Sequence, residues 1–520
     1  MKYSGEPLMI SNLGTRSAFF ALILIALTAA LALSASNVMA QGPADPGLDE
    51  PRGLRTNAEL ASPGYVLFSP GISGITYLVN TEGQVGHTWA SDYASGGGVY
   101  LLDNGNLLRM AHLADYPRYA GGQAGHIQEF TWNGELVWDY RLANEQYLLH
   151  HDVAVLPNGN VLAIVWEFKS AEEARAAGRR PDLLTERGLW PEVLLELERR
   201  GRDDAEIVWE WHAWDHFIQD FDPSARNYGT LSAHPELSDI NSDSDDLSET
   251  EVADLLTGEA VALLDAEEAP RAPDSMHFNG IAYNAALDQI VVSVHDFHEI
   301  WVLDHSTTTA EAAGSTGGRY GMGGDILYRW GKASNYDRGG QRPQALFGQH
   351  HPRWTEDGLP GAGRITVFNN NFAGSEGVYS TVVEIKPPMH DGGGYVVPVT
   401  DPFGPAEPVW TYMAPDRLSF RSHIISGAHR LANGHTFITS GIQGRFFEVT
   451  PQGDIVWEYW SPYWGEPSLP HYELLAEDSG PAIYATFRAT KIPLDHPGLA
   501  GRELSPLDPQ PPLIPHPESE

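Results

Sequence analysis

Short runs of alternating apolar and polar residues, each closed by a turn signal, recur along most of the chain. In HDVAVLPNGNVLAIVW, Val153 and Val155 alternate with other residues after His151, LPNGN turns the chain and VLAIVW returns it. Alternation around Asn-Gly predicts a β-hairpin, because strand side chains point to opposite faces in turn and Asn-Gly accepts the backbone of a tight reversal. The same hairpin reads in VYLLDNGNLLRM around Asn104 and in HRLANGHTFITS around Asn433, and a looser copy runs from His471 to Asp478. A second motif alternates with the first. It is a strand with an aromatic pattern, as in NTEGQVGHTW, WNGELVWDY, DDAEIVWEW, GDILYRW, AEPVWTY and PQGDIVWEY, carrying Trp89, Trp138, Trp209, Trp330, Trp410 and Trp457. Most of these follow another apolar strand, such as Ile127–Phe130, Val193–Leu197, Ile300–Leu303 or Phe446–Val449.

Each unit is thus about four short strands, and six units within residues 71–495 predict an all-β fold, a six-bladed β-propeller. A tryptophan at one place per blade predicts packing between blades rather than ligand stacking. The competing fold is a β-sandwich array, but no linker or composition break separates the units, and a closed ring needs no protected edges.

The remaining segments read differently. Residues 1–40 have the form of an export signal, with Lys2 and Arg16 before the apolar run AFFALILIALTAALAL and Val38-Met39-Ala40 as a small-residue cleavage site. That run approaches the length of a membrane span, so an uncleaved anchor is the alternative. Residues 41–70 form an N-terminal extension, and the Pro-rich tail within 496–520 is expected to be disordered. A long acidic, partly helical insertion, 218–272, follows the third tryptophan strand, and a second partly helical excursion covers 168–187. Within the insertion, Asp239, Asn241, Asp243 and Asp245 resemble the start of a calcium loop but lack its glycine and final glutamate, so a solvated acidic loop is the plainer expectation.

Charge and composition narrow the function. The chain has 32 Lys and Arg against 69 Asp and Glu, a formal charge of −37. Such a surface disfavours nucleic acid and anionic membranes as partners. The chain has no cysteine, which excludes disulfides, thiolate metal sites and a cysteine nucleophile. G-x-S-x-G, Walker A and dinucleotide fingerprints are also missing.

What remains is histidine. His151, His277 and His350 each stand seven residues before Asn158, Asn284 or Asp357 near a hairpin turn. Equivalent positions in a closed ring face one axis, so three imidazoles are expected to meet there. His277 and Asn279, two apart on a strand, are expected on one face. His150, His295, His298 and His351 lie close by in sequence. Such a cluster suits three chemistries: metal binding, nucleophilic catalysis, or base catalysis in a lyase or hydrolase.

The segments HHDVAVLPNGN, MHFNGIAYN, LFGQHHPRW and SGAHRLANGHTFI, together with WEWHAWDHF, RNYG and ATFRATKIP, resemble bacterial PAPS-independent aryl-sulfate sulfotransferases over most of residues 70–495. The resemblance implies a periplasmic or secreted six-bladed propeller. In that family a histidine in the G-Q-H segment accepts a sulfuryl group from an aryl sulfate and passes it to a phenol by ping-pong kinetics, without metal or diffusible cofactor. Carried over, His350 is the nucleophile, His277 the proton donor and His151 a catalytic partner. Asn279, His295 and His150 hold the sulfuryl oxygens. The family has an Arg in an S-S-R segment where this chain has Ser293-Val294-His295, and Arg488 or His298 would have to compensate. A metal-dependent lyase or oxidase and a non-enzymatic exported binding scaffold are the alternative readings.

Overall fold

The computed structural model describes residues 47, 49–113, 116, 120–242, 273–340, 342–465, 483–502 and 504–513. The expected export signal, Asp243, Asp245, the helical part of the acidic insertion and the His471–Asp478 hairpin lie outside these residues. Among the described residues no helix is long and apolar enough to cross a membrane.

Six antiparallel sheets of four strands, one with a fifth, form the blades. β1 (Gly53–Asn57) is the fifth strand and belongs to the sixth blade. The first blade holds β2 (Tyr65–Pro70), β3 (Ile75–Asn80) and β4 (Val85–Ala90); the second holds β5 (Ser95–Leu101), β6 (Leu107–His112), β7 (Gly125–Phe130) and β8 (Leu136–Arg141). The third runs through β9 (Tyr147–Val155), β10 (Val161–Glu167), β11 (Glu192–Arg200) and β12 (Asp204–His212). A short parallel pair, β13 (Phe217–Ile218) and β14 (Ser238–Asp239), sits in the excursion before the fourth blade. That blade is β15 (Phe278–Asn284), β16 (Gln289–Val294), β17 (Glu299–Asp304) and β18 (Tyr328–Gly331). The fifth is β19 (His350–Trp354), β20 (Ile365–Gly374), β21 (Gly377–Ile385) and β22 (Trp410–Tyr412); the sixth is β23 (Gly427–Arg430), β24 (Thr436–Ser440), β25 (Arg445–Val449) and β26 (Ile455–Trp460). β27 (Thr486–Ile492) returns to pair with β2 as the innermost strand of the first blade, so the two ends of the propeller close one sheet.

The boundary expected at residue 71 falls late. Residues 65–70 form β2, and Gly53–Asn57 pairs with Trp457–Trp460. The Pro-rich tail, expected to be disordered, is docked in its described part. Leu507 N–H donates to Val85 O at 2.8 Å, and the Gln510 side chain exchanges hydrogen bonds with the backbone of Val85. The start of β4 is an outer edge with unpaired backbone groups, and the tail supplies their partners.

The core is divided among the blade interfaces. Ile164 and Leu194 of the third blade pack with Ile290 and Trp301 of the fourth, and similar clusters fill the other junctions. The six expected tryptophans all lie on the fourth strand of their blades, outermost in five of them and covered by β1 in the sixth. Each indole N–H reaches the following blade: Trp89 to Thr131 O, Trp138 to Asp204 O, Trp209 to Thr307 Oγ1, Trp330 to Pro405 O, Trp410 to Pro451 O and Trp457 to Thr81 O. The last of these links the sixth blade to the first, so the tryptophans form a closed cycle of ties. Burial satisfies the indole body and the bond satisfies its one donor.

The excursion at 168–187 is partly helical, as expected. α1 (Ala171–Ala176) begins at a capping box made by Ser170 and Glu173. Asn241, a candidate calcium ligand, instead bonds the backbone of Arg180 and Gly178, and Asp239 accepts from Asn241 N–H. The Asn241 side chain therefore ties the two excursions together.

Candidate active site

Most inner strands carry an irregularity at the same end of the barrel, and the histidines sit there. On β9 the residues His150–Asp152 lie opposite Ile164 alone, and on β19 His351 and Pro352 lie opposite Val367. On β5, Gly96–Gly98 lie opposite Met110. Such bulges break the pleat and re-aim side chains, commonly beside active sites. His151, His277 and His351 all adopt left-handed backbone, with φ of 54, 55 and 53°. For non-glycine residues this conformation is strained and marks a site worth explaining. The seven-residue spacing pointed to His350 as the third member of the ring. The backbone gives that position to His351, because β19 turns one residue later than its spacing suggests.

Four imidazoles nonetheless form one arc across the third, fourth and fifth blades. Ring centroids are 4.4 Å apart for His151 and His277, 5.2 Å for His277 and His295, and 5.4 Å for His295 and His350. The Gly121–Gly122 segment lies over the first two. Gly122 has φ of +77°, and a Cβ there would fall 2.0 Å from the His151 ring. Glycine is required on both counts.

The protonation states divide within this arc. His277 Nδ1–H donates to Asp274 Oδ2 at 2.6 Å, and His277 N–H donates to Asp274 Oδ1. Burial pulls the His277 pKa down, but the charges of Asp274 and Asp296 and the Asp274 hydrogen bond lift it to about 9. It is therefore an imidazolium at neutral pH. His350 is held well below the ordinary value by burial and by the charge of His295, and His151 by burial and the charge of His277. Both are neutral. His295 Nδ1 is 2.6 Å from Asp296 Oδ1.

The tautomer of His350 follows from its neighbours. Asn370 donates its amide to Ser422 O and Ile425 O, which fixes Oδ1 as the group facing His350 Nδ1 at 2.9 Å. Nδ1 must carry the proton, so the lone pair is on Nε2. Nε2 accepts a 3.1 Å bond from Ile425 N–H. Ile425 and Ser426 have φ of 52 and 88°, an unusual conformation for a β-branched residue.

Several expected contacts lie behind the arc. His150 has no exposed surface: it stacks on Trp166 at 3.8 Å and bonds His151 and Glu192. Asn279 is also fully buried, with its amide donating to Gln349 O at 2.9 Å. The two-apart rule fails for His277 and Asn279 because His277 is not in extended backbone. Asn279 braces the residue before His350. Arg488 reaches across from β27 beneath the arc to Asp152 Oδ2 at 2.9 Å, and Tyr100 bonds the other oxygen of Asp152. Its charge opposes protonation of His350 but it does not replace the missing arginine among the rings. His298 is buried and accepts Gly348 N–H.

Asp274, Glu192 and Asn370 were not singled out in the sequence. Asp274 stands three residues before His277, a spacing at which an Asx side chain captures a following backbone N–H. Asn369–Asn371, three strand-disfavoured residues in a row on β20, is a second visible signal. Among the described residues no group of three or more His, Asp or Glu is arranged to hold a metal ion.

The propeller thus gathers one charged and at least two neutral imidazoles into a single arc. The family model described as Arylsulfotransferase (ASST) matches residues 68–461, and the chain belongs to that family. Membership indicates aryl sulfotransferase activity, with small-molecule aryl sulfates and phenols as substrates. No curated protein matches the chain. Similar solved structures include a protein of unknown function from Bacteroides caccae, at 11% identity and TM-score 0.40, covering 77% of this chain and 94% of that one. A putative 6-phosphogluconolactonase from Bacteroides fragilis matches at 10% identity and TM-score 0.37, covering 84% and 99%. Virginiamycin B lyase from Staphylococcus aureus matches at 11% identity and TM-score 0.30, covering 72% of each. Likenesses at such scores carry no argument about this chain.

Proposed function

We propose that the protein moves a sulfuryl group from an aryl sulfate to a phenol through a sulfo-histidine at His350, without PAPS. The observation that carries this reading is the division of charge in one arc: neutral His350, with its lone pair fixed on Nε2 by Asn370, beside cationic His277. His350 Nε2 attacks sulfur, the N–S bond forms, and the S–O bond to the aryl group breaks with its electron pair on the leaving oxygen. Ile425 N–H gives up its bond to Nε2 as the substrate enters. His277 stands against the sulfuryl oxygens and supplies the positive charge that an arginine gives elsewhere in the family. It loses that role only above pH of about 9. A positioned cation stabilises developing charge without reorganisation. A phenol then attacks sulfo-His350 in the reverse sense.

The apolar run before Ala40 and the cleavage-like Val38-Met39-Ala40 support export to the periplasm or medium. The bond from Ile425 to His350 favours one competing reading, in which His151, whose Nε2 meets no hydrogen-bond partner among the described residues, takes the group instead.

Steady-state rates with a chromogenic aryl sulfate and a phenol test the reading. Parallel double-reciprocal lines and phenol-dependent release of the chromophore are expected. Intersecting lines, or release indifferent to the phenol, contradict it.

A further inference from the structure

Behind His151 runs a buried chain of hydrogen bonds that the transfer chemistry above leaves unexplained. His151 Nδ1 is 2.8 Å from His150 Nδ1, His150 Nε2 is 2.9 Å from Glu192 Oε2, and Glu192 Oε1 accepts Phe278 N–H at 2.8 Å. His150 and Glu192 have no exposed surface. Each of the two links needs one proton. Two arrangements satisfy both with neutral rings. In the first, Glu192 is a carboxylic acid, His150 carries its proton on Nδ1 and His151 on Nε2. In the second, Glu192 is a carboxylate, His150 carries its proton on Nε2 and His151 on Nδ1, leaving the His151 Nε2 lone pair facing the arc. The two differ by one proton, released or taken at His151 Nε2, and neither contains an imidazolium. A buried imidazolium is costly, so a chain that moves a proton without forming one suits this interior.

We propose that Glu192, His150 and His151 form a proton relay that serves the aryl oxygen in both half-reactions, while His277 keeps its charge throughout. The inference rests on sulfuryl transfer at His350. In the first half-reaction the departing aryl oxygen takes the proton from His151 Nε2. His151 Nδ1 takes the proton of His150 Nδ1, His150 Nε2 takes that of Glu192 Oε2, and Glu192 is left as a carboxylate. The incoming phenol returns a proton along the same path. Burial and the charge of Asp274 push the Glu192 carboxyl upward, and burial with the His277 charge pushes both relay imidazoles down, which makes Glu192 the resting place of the proton. The expected donor, His277, is the poorer choice. Losing its proton would leave Asp274, whose side chain is 2% exposed, without its counter-ion.

Glu192→Gln keeps an acceptor for Phe278 N–H but freezes the chain, because its amide can only donate to His150 Nε2. The test compares 4-nitrophenyl sulfate, whose phenolate leaves unprotonated at neutral pH, with phenyl sulfate, whose phenolate does not. The expected result is that Glu192→Gln falls within several-fold of wild type on the nitrophenyl ester but loses about 10²–10³-fold on the phenyl ester. Equal losses on both donors, or no loss on phenyl sulfate, overturn the relay. If wild type itself forms no sulfuryl adduct, the transfer reading fails instead. His150→Phe, which keeps a ring against Trp166 and cuts the chain, is the second variant. It should show the same split, and equal losses on the two esters would again overturn the relay.

Discussion

The chain contains two His-His pairs on inner strands, and the fold uses them in opposite ways. In His150-His151 the second ring faces the arc and the first is sealed behind it against Trp166 and Glu192. In His350-His351 the first ring is in the arc. The second drops beneath it, where His351 Nδ1 accepts Ala428 N–H at 3.1 Å beside Arg488. Both second histidines have the same left-handed backbone. The difference lies in the neighbours. Glu192 draws His150 outward into the blade, whereas Asn370 holds His350 inward. A repeat therefore sets where a bulge falls, and the side chains of adjoining strands decide which of two adjacent rings joins the arc.

The largest expected effect comes from breaking that comparison. His350→Ala should abolish sulfuryl transfer, a loss on the order of 10⁴ or more as for other covalent nucleophiles. His351→Ala should instead destabilise the protein by about 1–3 kcal/mol, because a buried backbone donor loses its acceptor. Transfer per folded molecule should persist. Denaturant melts and turnover on the same preparations separate the two. Loss of transfer in both would show that the pairs are not differentiated as described.

Next in size is the roof. Gly122→Ala must displace the His151 ring and strain a left-handed position, so transfer should fall by about 10²-fold, the scale of a misplaced catalytic group. A crystal structure of the variant should show His151 moved. An unmoved ring with normal turnover would remove Gly122 from the account.

A smaller effect sharpens the charge division. Free histidine titrates near 6.5, and His277 in the folded chain near 9, where Asp274 and Asp296 outweigh burial. Its ion pair thus contributes stability fully below about pH 6.5, and that contribution is lost as pH rises through about 9. Activity should fall over the same upper limb. Asp274→Asn should move that limb down by about 1–3 units, in both a pH–rate profile and pH-dependent melts. An unmoved limb would mean that another group holds the charge. The smallest effect is expected at the rim: Trp410→Phe removes one interblade tie and should cost about 0.5–1.5 kcal/mol with turnover intact, measured by chemical denaturation.

Much of the architecture is legible before any coordinates. Period-two alternation and Asn-Gly turns locate hairpins such as β9–β10 and β23–β24, and the six tryptophans mark outer strands, because both signals are local. The pairing of the closing strand β27 with β2, across more than 400 residues of sequence, is not local and leaves no turn or alternation signal. His151, His277, His295 and His350, picked from the sequence, adjoin in the structure. Their tautomers and charges were not legible, because these depend on Asn370, Asp274 and Glu192. Two of these partners come from elsewhere in the fold, and the third from a turn that reads as loop. Asn279 was misplaced because the pleat rule fails at a bulge, and His150, named as the neighbour of His151, is instead held behind the arc by Glu192 and Trp166.

The central claim is that His350 alone carries the sulfuryl group. Protein incubated with excess aryl sulfate and no phenol, then digested and mapped by mass spectrometry under conditions that preserve N–S bonds, should gain one SO₃ on the peptide containing Gln349–His350–His351. Fragmentation should place it on His350, and addition of a phenol should remove it. An adduct on the His150–His151 peptide, or none under conditions of active turnover, would contradict the account.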